Sequence, residues 1–291
     1  MSTLYHYCSV AAFHAIVESR SLWLSSLSQS NDNMEGKLVS RTISALAKRD
    51  NLDLTATGRL QDTVESLETT MDGLGFCLSE KGDLLSQWRG YADDASGVSI
   101  GFSRTYLDWL SQESLKASDG GFTVAKVEYD PAAHEALVEP TYREVRKAVD
   151  AGALKPPQPY LGGLLNTVVR SEEEKRSEEE AIRKAEASAL SAIINLYPKL
   201  FLLKSSAFQE ENEWRLIAHT VREGANNNSY RIQRNRIVPY RAFEFSEMGR
   251  QPISEIFLGP KHQTPPIVVA DFLKQRGFGE VTVTPSSASY R

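Results

Sequence analysis

The stretch FQEENEWRLIAH, residues 208–219, decides how this chain is read. Side chains alternate between two faces along a strand, so Glu211, Glu213 and Arg215 are predicted on one face and Trp214, Leu216 and Ala218 on the other. One side of such a strand is apolar and belongs to a core. The other carries two carboxylates side by side, which is either a solvated face paired with Arg215 and Lys204 or a place where carboxylates do chemistry. Surface ion pairs stabilise by only about 0–1 kcal/mol, so the first reading asks little of the fold. In the second, one glutamate orients a ribose hydroxyl or stabilises an oxocarbenium-like centre while its neighbour activates the incoming nucleophile.

Outward from this strand, the C-terminal third is mostly extended, with strands near 229–239, 253–258 and 281–284 and one helix near 266–276. At the other end of the chain, LYHYC (Leu4–Cys8) reads as a strand, and Ser9 caps a helix through VAAFHAIVES. SLWLSS follows as a second strand, and Asn31, Asp32 or Asn33 is expected to cap the next helix, which runs to about Arg49. Residues 50–72 are polar with weak helical periodicity. GFCLS and GVSIGF are apolar strands joined by EKGDLLSQWRGYADDAS, a connection long enough to carry function. The helix TYLDWLSQ and the strand FTVAKVEY come next, and Pro131 opens a helix towards Ala151. KPPQPYLGG (155–163) breaks both periods and reads as the best linker candidate in the chain. SEEEKRSEEEAIRKAEASALSAIINLY is a helix with Leu190, Ile193, Ile194 and Tyr197 as its apolar stripe, ended by Pro198. Strands at both ends with helices between them indicate an α+β class, a single domain over 1–291 with a helical insertion at 131–197.

Bulk properties narrow the function classes. The 33 Lys and Arg against 38 Asp and Glu give a net charge of -5, so the whole chain lacks the positive field of a non-specific nucleic-acid binder. Its two cysteines, Cys8 and Cys77, have no metal or redox spacing and are expected as reduced thiols, which fits a cytoplasmic location. MSTLYHYCSVAAFHAIV has no basic segment ahead of its apolar residues, so no secretory signal is expected, and no window approaches the roughly 20 apolar residues of a membrane span. The five histidines have no close ligand spacing, and no metal site is expected from them.

The remaining candidates have a plain reading and a sharper one. His6 between Tyr5 and Tyr7 is either a hydrogen-bonded core histidine or a polar contact to a ligand's ribose or amide, with the tyrosines, Tyr7 among them, shaping an aromatic wall. Ser25 and Ser26 end the second strand as turn or cap residues or as ligand contacts. Arg89 is solvated or holds a phosphate or carboxylate in its fork of donors. Gly259 and Lys261 in GPKH lack the spacing of a phosphate loop. A magnesium-dependent nuclease or hydrolase would draw on Asp32, Glu35, Glu211 and Glu213.

The blocks LYHY, LWLSSLSQSNDNMEG, LLSQWRGYADDASGVSIGF, KSSAFQEENEWRL and ISEIFLGP together resemble the domain-of-unknown-function family 2971, over about Leu4 to Pro260. That resemblance implies a bacterial protein of the kind often encoded among mobile or phage-defence genes. The order of strand histidine, strand serines and a strand with ExE is also similar to ADP-ribosyltransferases. This second resemblance implies a split β-sandwich that grips NAD, used as substrate. It implies His6 on ribose or nicotinamide, Ser25 or Ser26 at the second-strand position, Glu213 as the catalytic glutamate and Glu211 assisting the acceptor. Arg89 is assigned to the pyrophosphate or to a nucleic acid. The function expected is transfer of ADP-ribose to a protein or nucleic acid by a defence effector or toxin. The alternative is a non-catalytic sensor or partner-binding module, with the helix from Ser171 docking the partner.

Overall fold

The computed structural model describes residues 2–30, 36–117, 120–154, 171–222, 227–233, 235–245, 251–279 and 281–290. Asp32, Glu35, the expected cap residues 31–33 and the linker 155–163 lie outside them. The chain divides into two compact units. The first comprises Met1–Asn33, Asp72–Val127 and Ser205–Arg291; the second comprises Met34–Met71 and Glu128–Lys204.

Unit 1 contains a ten-stranded mixed sheet with helices. Its strands are β1 (Thr3–Cys8), β2 (Ser21–Ser26), β3 (Met71–Ser79), β4 (Val98–Ser103), β5 (Thr123–Lys126), β6 (Glu213–Val221), β7 (Ser229–Gln233), β8 (Arg236–Glu244), β9 (Ile253–Leu258) and β10 (Thr282–Pro285). The main path runs β10-β9-β4-β1-β3-β2-β8-β7, with β6 paired to β3 and β5 to β6. Only β10 and β9 are parallel among the registers of this path. The single strand expected over 229–239 is a hairpin, with Ile232 opposite Ile237 and Gln233 opposite Arg236.

The sheet branches at β3, and the branch follows from edge counting. A strand has two edges, yet β3 has three partners. β6 runs along the whole of one edge, antiparallel to β3: the Glu80 amide donates to the Asn212 carbonyl at one end, and Arg222 lies 3.7 Å from Asp72 at the other. β1 and β2 therefore share the opposite edge. β1 takes its end, through Tyr5 opposite Ser79, and β2 takes its beginning, through Ser25 opposite Gly75 and Ser26 opposite Leu74. Between these contacts the edge of β3 at residues 76–78 is bordered by a split.

Alternation places the core on one face. Leu4, Leu24, Leu74, Phe76, Ile100, Phe102, Leu216 and Ala218 pack with Phe13, Ile16 and Val17 of α1 (Val10–Ser19) and with Tyr106, Leu107 and Leu110 of α5 (Arg104–Ser114). Each fully buried Leu, Ile or Phe there contributes roughly 1.5–3 kcal/mol. α1 begins where the sequence says it should, with the Ser9 hydroxyl accepting from the Ala12 amide. On the other side, Tyr5, Tyr7 and Phe257 pack with Trp88 of α4 (Leu85–Tyr91) and with Ala288 and Tyr290. α8 (Pro266–Gln275) adds Val269 and Leu273 to the main core.

Unit 2 is helical: α2 (Leu38–Arg49), α3 (Leu54–Thr70), α6 (Pro131–Asp150) and α7 (Glu172–Ile194). α6 and α7 fall within 131–197, and they share this unit with α2 and α3, a grouping that periodicity does not give. α2 starts after Lys37, which makes no side-chain cap bond. The apolar stripe of α7 differs from the expected one. Its buried face is Ala185, Ala189, Ala192 and Ile193, while Leu190 and Ile194 are exposed. Ala148 and Ala153 meet Ala185 and Ala189, so small side chains let the two backbones approach, and that closeness selects the face. Among the described residues no helix is long and apolar enough to cross a membrane.

Candidate functional site at the split in the sheet

The residues 208–219 depart from the expected single strand. Ser206–Glu211 form a 3-10 helix, Asn212 sits in the left-handed region at φ 43°, and β6 starts only at Glu213. Asparagine tolerates that conformation better than most residues, and the turn breaks the alternation that was to bring Glu211 and Glu213 onto one strand face. Glu211 instead accepts a bond from the Tyr91 hydroxyl at 3.1 Å, and its carbonyl accepts from Ser79.

Glu213 and Arg215 do share a face, and they bond each other. Arg215 Nε lies 2.7 Å from one carboxylate oxygen and Nη2 3.0 Å from the other. The pair is not a surface one: Glu213 is 4% exposed and Arg215 1%. Trp214 takes the opposite face, its indole N–H donating to Glu80 at 2.8 Å, with the Arg104 guanidinium 3.9 Å over its ring.

His6 stands at the split. Its Nδ1 is 2.8 Å from the Cys77 carbonyl, on the stretch of β3 that neither β1 nor β2 covers. A carbonyl only accepts, so Nδ1 carries the proton and Nε2 is left as an acceptor. The ring stacks on Phe76 with centroids 3.9 Å apart. Burial lowers its pKa to about 4, with the positive charge of Arg231 adding to the effect and the Cys77 bond opposing it. The imidazole is therefore neutral at pH 7.

The other side of the split is built by β2, β8 and β7. Ser25 pairs with Tyr240 across β2 and β8, and Trp23 stacks on Tyr240 at 4.7 Å with 29° between the planes. Arg231 of β7 has its guanidinium carbon 5.9 Å from the Trp23 ring centre. Burial lowers its pKa, opposed by Tyr240, and its Nε is buried with no hydrogen-bond partner among the described residues. None of Trp23, Arg231 and Tyr240 emerges from the sequence reading. The only signal is strand alternation in SYRIQ, which sets Arg231 apart from its apolar neighbours Tyr230 and Ile232.

The remaining candidates are bound up with the fold. Ser26 donates to the buried Asp72 at 2.7 Å, which fixes it to β3. The Tyr7 hydroxyl donates to the Lys81 carbonyl at 2.7 Å and accepts from the Leu84 amide at 2.9 Å, so it holds the turn before α4; burial raises its pKa. Arg89 is exposed on α4, 5.8 Å from the Tyr290 ring, in the cluster that includes Asp94 and Lys261. His6 thus stands at the split, Ser25 borders it through its pairing with Gly75, and Arg231 lies against Trp23 of the same strand as Ser25, while Tyr7, Ser26 and Arg89 make contacts of their own elsewhere. Gly259 needs its small size, since a Cβ there would lie 2.3 Å from the Ala95 carbonyl oxygen. Among the described residues no group of three or more His, Cys, Asp or Glu is arranged to hold a metal ion.

Comparison with known proteins gives one match. Residues 87–216, from α4 into β6, match the family model described as Protein of unknown function (DUF2971), which supports the family resemblance drawn from the sequence blocks. No curated protein and no solved structure matches the chain.

Proposed function

We propose that unit 1 is an ADP-ribosyltransferase-like split β-sandwich that binds NAD at the split and transfers ADP-ribose to a protein or nucleic acid, as a phage-defence effector or toxin. The observation that carries this reading is His6: a neutral imidazole, fixed by the Cys77 carbonyl, with Nε2 as acceptor at the split between β1 and β2. Such an acceptor suits a ribose hydroxyl or a carboxamide N–H. Ser25 borders the same opening and supplies a hydroxyl whose own bond, to the Trp23 carbonyl, is long at 3.5 Å.

In the reaction the bond between nicotinamide nitrogen and ribose C1′ breaks, and nicotinamide leaves with the electron pair. The acceptor's lone pair forms the new bond to C1′, and the acceptor's proton goes to a base. Positive charge develops on the ribose, and a carboxylate near the 2′-hydroxyl lowers the barrier. Glu213 takes that role in this proposal. Arg215 orients its two oxygens. Glu211 assists the acceptor, with the Tyr91 bond as its positioning contact.

The same Glu213–Arg215 pair favours a second reading. A carboxylate bonded on both oxygens and 4% exposed has the environment of a structural ion pair, which suits a non-catalytic sensor or partner-binding module. Labelled NAD incubated with the protein and a bacterial lysate separates the two. The enzyme reading expects nicotinamide release and label transfer, both lost in Glu213→Gln while its melting curve still reports a folded protein. NAD binding without release, unchanged in that variant, supports the module; neither binding nor release removes NAD from the account.

A further inference from the structure

We propose that Arg231, Trp23 and Tyr240 form the subsite for the phosphate-bearing part of a nucleotide, with the aromatic pair as its stacking platform. This rests on the reading of the split as a nucleotide site, and it moves the phosphate contact from Arg89 to a residue on the edge hairpin.

Arg231 carries a half-buried guanidinium. Taking a charge out of water is costly unless a carboxylate or a set of acceptors replaces the lost hydration. Among the described residues Arg231 has neither. Its one side-chain hydrogen bond among them is long, Nη2 to Gln233 Oε1 at 3.4 Å, and its buried Nε has no partner there. A planar fork of donors held in this way matches two oxygens of a phosphate. Arg89 differs on each count: it is exposed, and it already lies against Tyr290 beside Asp94.

The second observation is aromatic. Trp23 and Tyr240 stack at 4.7 Å on neighbouring strands, and Trp23 is fixed in place by its indole N–H donating to Ser21 at 2.9 Å. Arg231 lies 5.9 Å from the Trp23 ring centre, and its charge is felt at His6. In this proposal the anion sits at Arg231, beside this aromatic surface, and the sugar is assigned to the imidazole acceptor of His6. Nucleotides present that combination of flat ring, hydroxylated sugar and phosphate. A simple anion would have no use for the platform, and a nucleoside would leave the guanidinium unmet.

The test uses the full chain with ADP-ribose, adenosine and inorganic pyrophosphate as probes, followed by titration calorimetry and by Trp fluorescence. Wild type is expected to bind ADP-ribose, with pyrophosphate competing. Arg231→Gln is expected to weaken ADP-ribose by about tenfold or more and to abolish the competition, while adenosine binds as before; Arg231→Lys falls between, and Arg89→Gln is neutral. ADP-ribose binding that is unchanged in Arg231→Gln, or lost in Arg89→Gln instead, overturns the subsite and leaves the split as a nucleotide site. Wild type that binds neither NAD nor ADP-ribose overturns both. Because Arg231 lies on an edge hairpin, a melting curve matching wild type establishes that the variant is folded, and the pyrophosphate competition on wild type tests the subsite without any substitution.

Discussion

His6 is the residue on which most of the account turns, and its titration is measurable. The unfolded imidazole takes its proton near pH 6.5 and the folded one only near 4, so between those values the unfolded state binds more protons. Stability is therefore full above pH 6.5 and falls as the pH drops towards 4. The loss amounts to about 3 kcal/mol at most, and less to the extent that the ring edge meets solvent. Urea unfolding at a series of pH values is expected to show this slope in wild type and a smaller one in His6→Phe. Equal slopes would mean that the imidazole is not held neutral at the split. Cys8 is at the opposite extreme: burial pushes its thiol up to about 12, so it behaves as an apolar core residue.

At the scale of elements, the α6–α7 contact shows how a face is chosen. Ala148 and Ala153 lie against Ala185 and Ala189, so the helices meet through small side chains. Ala189→Leu forces them apart, and thermal unfolding is expected to report a loss of about 1–3 kcal/mol, whereas Leu190→Ala on the exposed side is expected to leave stability within about 0.5 kcal/mol. The contrast explains what the sequence made legible. Strand and helix positions were readable where alternation, Ser9 in unit 1 and Pro131 in unit 2 act locally. The α7 face was not, because Leu190 and Ile194 outweigh alanines in any apolar count, while the packing rewards the smaller residues. Residues 208–219 failed for a related reason. Alternation is a property of an uninterrupted strand, and the left-handed Asn212 interrupts it. His6 and Ser25 are named as candidates by the resemblance to ADP-ribosyltransferases; the candidates Arg231, Trp23 and Tyr240 are not, because strand pairing over long separations brings their strands together.

For the molecule as a whole, the organising feature of unit 1 is that β3 has three partners on two edges. β1 and β2 divide one edge between them, and the opening they leave exposes backbone that must be satisfied in some other way. The His6 imidazole does this at Cys77, which couples a requirement of the fold to a group whose Nε2 is an acceptor. The main core on one face and the Tyr7 and Trp88 cluster on the other stiffen the strands that border the opening. The central claim is that the split between β1 and β2 is where a nucleotide binds. Nitrogen-15 spectra of the histidine rings recorded during an NAD titration test it directly. The account predicts a saturable shift at His6 Nε2, in step with binding measured by calorimetry, and no comparable change at His134, a buried residue of α6 in unit 2; a His6 signal that stays still while NAD binds would contradict it.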